Sequence, residues 1–72
     1  MREYEYGKLL GRMRERGFTQ ESLAKAIGIG ETSLNLRLNN KMDFKRREMV
    51  MICDELKIPY EQVGDYFFAP RL

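Results

Sequence analysis

Gly17, Gly28 and Gly30 constrain this chain more than any other feature, because they cut its first forty residues into stretches too short for anything but small helices. Ahead of Gly17, Tyr6, Leu9, Leu10 and Met13 recur at helical spacing, which predicts a helix over 6–16 with Lys8, Arg12, Glu15 and Arg16 on its other face. Thr19 is a suitable N-cap for a second helix over 20–27, and Gly28 ends it. Only a tight turn then separates it from a third over 31–39. Met49, Ile52, Cys53 and Leu56 mark the apolar side of a fourth over 46–57, and Pro59 opens a short fifth over 59–66.

A second pattern agrees with these starts. A hydrophobic staple pairs the residue before an N-cap with the one five positions later. Phe18 with Leu23, Ile29 with Leu34, Phe44 with Met49, and Ile58 with Val63 all fit it. The alternation Leu34-Asn35-Leu36-Arg37-Leu38 imitates a half-buried strand. No second strand-like run exists to satisfy its backbone, so the helix reading prevails. The expected class is all-α, five short helices in one domain over 1–72, with its core at about 6–66.

A chain of seventy-two residues buries only about 60% of its unfolded surface, so one domain is expected, with no separate effector domain. With 43% hydrophobic and 33% charged residues and two prolines, the mixture is globular. One cysteine, Cys53, and no histidine cannot form an internal disulfide or the usual zinc site, so no metal or cofactor is expected. Cys53 reads as an inert buried thiol. No apolar run approaches the roughly 20 residues of a membrane span, and Met1-Arg2-Glu3-Tyr4 does not begin an apolar leader. The expected place is the cytoplasm, with no membrane and no small-molecule ligand.

Catalysis needs positioned acid, base or nucleophile pairs, and this chain offers two serines and carboxylates spread along solvent faces. Its net charge of +2 is unevenly divided. Residues 1–47 hold eleven Lys/Arg against six Asp/Glu, and residues 48–72 hold two against five. A basic half suits a polyanion, although charge runs also serve simply as solvated helix faces.

The stretch from Gln20 to Leu34 resembles the helix-turn-helix of the lambda-repressor and Cro family, and the likeness extends over about residues 6–66. Ala24 is small where the helices cross, Gly28 suits the left-handed turn, and Leu23, Ile27, Ile29 and Leu34 are apolar where the pair must bury. The nearest likeness is to small phage Cro-like regulators made of this domain alone. Three positions depart from the pattern: Arg37 stands where an apolar residue is usual, leaving Leu38 to pack instead. Asn40 replaces a frequent Gly, and Lys45 holds an N-cap it cannot serve, leaving Glu48 of a capping box.

The resemblance implies a sequence-specific regulator of transcription bound to double-stranded operator DNA, as a homodimer at least on DNA. Taking Leu34 as zero at 100° per residue, Leu38 lies at about 40°, Asn39 at about 140°, Thr32 at about 160° and Leu36 at about 200°. The last three face away from the core. The resemblance assigns base contact to Glu31, Thr32, Asn35 and Leu36. It also assigns phosphate contact to Gln20 and Asn39; Asn40, Lys41, Lys45 and Arg46, with Arg47 beside them, are expected at phosphates from residue type.

Each has a plainer alternative. Glu31 also complements the helix dipole, Leu36 also suits contact with a partner chain, and Met49, Met51, Cys53 and the Tyr and Phe set are expected in the core. Tyr66-Phe67-Phe68 either joins two subunits or closes the core. The alternative for the whole chain is a protein-binding module on the same fold, such as an antitoxin or antirepressor.

Overall fold

The computed structural model describes residues 3–72; Met1 and Arg2, which belong to the N-terminus and the basic half considered above, lie outside the described residues. Five α-helices are present among them: α1 Gly7–Glu15, α2 Gln20–Ile27, α3 Glu31–Leu38, α4 Arg46–Leu56 and α5 Val63–Phe67. The expected fifth helix over 59–66 divides in two. A 3-10 turn at Tyr60–Gln62 leads into α5, with Pro59 as its extended N-cap. The all-α class follows the periodicity of the sequence, and the strand-like alternation at 34–38 is helical.

Local chemistry sets the boundaries. Thr19 caps α2 through a reciprocal box: Ser22 N–H donates to Thr19 Oγ1 at 3.0 Å, and Thr19 N–H donates to Ser22 Oγ at 2.9 Å. Gly28 ends α2 at φ 77°, the left-handed region that a Cβ disfavours, and the Ile29 N–H returns to the Ala24 carbonyl at 3.0 Å. At α4, Glu48 Oε1 accepts the Lys45 N–H at 3.0 Å, the half of the capping box that Lys45 leaves possible.

Leu9, Met13, Leu23, Ala24, Ile27, Leu34, Ile52, Leu56 and Phe67 form the centre of the core. Helix α2 packs on both α3 and α4, while α1 packs on α5. All four staple pairs contribute: Leu23, Leu34 and Ile58 are buried, and Phe18, Ile29, Phe44, Met49 and Val63 pack on the cluster. An aromatic chain closes one side, with ring centroids 5.5 Å apart for Tyr6 and Phe44 and 5.1 Å for Phe44 and Phe67, each edge to face.

Two long-range ties were not visible in the sequence. Arg12, expected on the solvent face of α1, reaches α4 instead. Its Nε donates to the Leu56 carbonyl at 2.8 Å and its Nη2 to the Lys57 carbonyl at 2.5 Å, capping a helix whose last turn has no basic residue. The two ends of the domain also meet, through an antiparallel bridge between Tyr4 and Pro70 in which Glu5 N–H donates to the Ala69 carbonyl at 2.8 Å. No helix among the described residues is long and apolar enough to cross a membrane.

Candidate nucleic-acid interface

The turn at Gly28-Ile29-Gly30 sets α3 against α2, so one side of α3 is buried and the opposite side is presented outward. Leu34 is fully buried, whereas Glu31, Thr32, Asn35 and Leu36 are exposed, with Leu36 at 36%. These four share the outward face. Asn39, the C-cap of α3, is exposed and its Nδ2 donates to the Asn35 carbonyl at 2.8 Å.

Gln20 opens α2 beside this face, and its Oε1 accepts from Asn35 Nδ2 at 3.1 Å. That bond orients both amides. Gln20 keeps its Nε2 hydrogens for an outside acceptor such as a phosphate oxygen. Asn35 keeps Oδ1 and one Nδ2 hydrogen, the donor and acceptor pair that fits the major-groove edge of adenine.

Arg37 is where the structure departs most from the sequence. It lies at about 300° on the same wheel, and it is buried at 4% exposure instead of leaving the core to Leu38, which is only half-buried. Its Nε donates to Glu48 Oε1 at 2.8 Å, its Nη2 to Glu48 Oε2 at 3.1 Å, and its Nη1 to the Ser33 carbonyl at 2.9 Å. Arg37 is therefore withdrawn from any ligand, and its charge is cancelled by a carboxylate equally buried. Burial works to raise the Glu48 pKa. The Lys45 N–H and the Arg37 guanidinium outweigh it, and the carboxyl sits below the usual glutamate value.

The residues expected at phosphates do not stay together. Lys41 and Lys45 are exposed and form no ion pair among the described residues. Asn40 has another role: at φ 61° it turns the chain after α3. Its Oδ1 accepts the Tyr4 N–H at 2.9 Å and its Nδ2 donates to the Tyr4 carbonyl at 3.0 Å. Arg46 is turned away, because it lies about 200° around α4 from Glu48, the residue that faces α3. It lines instead an apolar groove of about 330 Å³ with Met49, Val50, Cys53, Tyr60, Val63 and Phe68.

Of the C-terminal aromatics, Tyr66 and Phe67 close the core and Phe68 stays half exposed in that groove. Tyr60, expected inside with the other aromatics, is 58% exposed. Cys53 is buried, and burial followed by the neighbouring Asp54 pushes its thiol pKa up, which keeps it protonated and unreactive.

A family model described as "Protein of unknown function (DUF739)" matches residues 2–70. The chain belongs to the DUF739 family. That family takes the place of the lambda-repressor and Cro family suggested by residues 20–34; what stands of that likeness is to a small phage regulator. Among solved structures, this DUF739 chain is similar to the solution structure of the modulator of repression (MOR) of the temperate bacteriophage TP901-1 from Lactococcus lactis. The two are 34% identical over 90% of this chain and 88% of that one, with a TM-score of 0.77. No curated protein matches by sequence.

Proposed function

We propose that this chain is a phage regulatory protein that binds double-stranded operator DNA through the outward face of α3. The observation that carries this reading is the side chain set Thr32, Asn35 and Leu36, exposed on a helix whose opposite side is locked into the core, with Gln20 bonded to Asn35 across the turn. Glu31, Thr32, Asn35 and Leu36 would meet base edges. Gln20, Asn39, Lys41 and Lys45 would hold phosphates, and two subunits would occupy a pseudo-palindromic site. The kinship with a phage modulator of repression supports a role in controlling transcription.

A second reading has its own support. The outward face of α3 carries no cation, because the helix's one basic residue, Arg37, is buried against Glu48. Arginine is the commonest reader of guanine, so a surface of this kind also suits contact with another protein of the regulatory circuit.

Gel retardation with DNA from upstream of the protein's own gene separates the two. Operator binding predicts a shifted band that weakens with salt at a log–log slope of about −0.9 per neutralised phosphate. If neither this DNA nor random duplex is retarded at low salt, the DNA reading is wrong and the protein-binding reading takes its place.

A further inference from the structure

We infer that the apolar groove between α4 and the C-terminal segment is a self-association surface whose occupant is a second copy of this chain. Met49, Val50, Val63, Tyr60 and Phe68 line it together with Arg46. Val50, Tyr60 and Phe68 are 42%, 58% and 48% exposed. Contiguous exposed apolar side chains with aromatic walls characterise association sites more than ordinary surface.

The charges around the groove select the occupant. Arg46, Val50 and Asp54 form one i, i+4 row on α4, with the cation and the anion each four residues from Val50 and about 12 Å from one another along the helix. Asp54 is held beside the groove wall, since Tyr60 Oη donates to its Oδ1 at 2.5 Å. A two-fold axis through Val50 runs two α4 helices antiparallel and sets Arg46 of each copy against Asp54 of the other. The surface is thus complementary to itself, as a two-fold interface requires. An unrelated partner would have to reproduce this order of charges in reverse.

Arg46 and Glu48 lie on opposite sides of α4, so pairing through the groove leaves the outward face of α3 uncovered in both copies. The inference does not depend on DNA binding, and the experiment is done without DNA.

Sedimentation equilibrium from micromolar to millimolar protein should show the mass rising from one chain toward two. Val50→Glu, and independently Tyr60→Glu, should raise the dimer Kd by about tenfold or more. Both sites are exposed, and an unchanged melting curve identifies which variant is folded. Arg46→Asp and Asp54→Arg should each weaken self-association, whereas an equimolar mixture of those two variants should form a heterodimer, because each then supplies the charge the other lacks. A wild type that stays monomeric at millimolar concentration overturns the inference. So does a dimer indifferent to both groove substitutions, or a mixture of the charge variants that fails to pair.

Discussion

Arg37 of α3 and Glu48 of α4 meet in a two-pronged ion pair sealed inside the protein, Nε to Oε1 at 2.8 Å and Nη2 to Oε2 at 3.1 Å. Glu48 Oε1 also accepts the Lys45 N–H, so one carboxylate both starts α4 and ties it to α3. The orientation of the outward face of α3 is thereby linked to where α4 begins.

Removing one partner should therefore cost more than removing both. Arg37→Met leaves a carboxylate buried without its cation and should lose about 3–5 kcal/mol, while Arg37→Met combined with Glu48→Leu should recover part of that loss. Urea unfolding of the two single variants, the double variant and the wild type gives the coupling. Additive losses would show that the pair is not energetically linked.

The same pair predicts an acid sensitivity. The folded pKa of Glu48 lies below its unfolded value of 4.5, so the stability it contributes is present above that value and disappears as the pH falls through the folded pKa. Urea midpoints should decline more steeply with acidification in the wild type than in Glu48→Gln, which has no charge to lose. Parallel curves for the two proteins would contradict this.

If α3 reads bases, Thr32→Ala and Leu36→Ala should each lose about 1–3 kcal/mol on the operator and far less on random duplex. Gln20→Ala and Lys41→Ala should weaken both DNAs alike, and Lys41→Ala should reduce the salt slope by about one unit. Binding titrations at several salt concentrations measure all four. Leu34→Ala is the stability control: it is fully buried and should cost about 2–5 kcal/mol of folding, which exposed Leu36 should not. Equal losses of stability at the two leucines would mean that Leu36 faces the core.

Lys57 ends α4 at φ 58°, a left-handed conformation that costs a residue with a Cβ about 1–2 kcal/mol. Lys57→Gly should remove that cost and raise the melting temperature by several degrees, since about 1 kcal/mol shifts a domain of this size by roughly 4–8 °C. The bond from the Arg12 guanidinium uses only the backbone carbonyl of Lys57 and should survive. A lower melting temperature would show that the lysine side chain contributes more than its backbone costs.

The sequence by itself determined the helices and the outward face of α3. Those depend on neighbours three to five residues apart: the apolar repeat of each stretch, the Thr19 and Ser22 box, the staples, and the left-handed turn at Gly28. Leu34 inside and Thr32 and Leu36 outside follow from the helical period alone. Tertiary structure decided what distant side chains do with their charges and amides. Arg37 read as an intruder at an apolar position, and only the approach of α4 supplies the carboxylate that lets a guanidinium be buried there. Asn40 read as a phosphate contact, yet its amide is bonded to Tyr4, thirty-six positions away, and Arg12 is drawn from a solvent face to the end of α4. Arg46 and Tyr60 were assigned from residue type, to phosphate and to core, and the packing of α4 against the C-terminal segment places both at an open groove. A local pattern records the period of a helix. It does not record which unsatisfied carbonyl, carboxylate or apolar surface the rest of the chain will bring within reach of a long side chain.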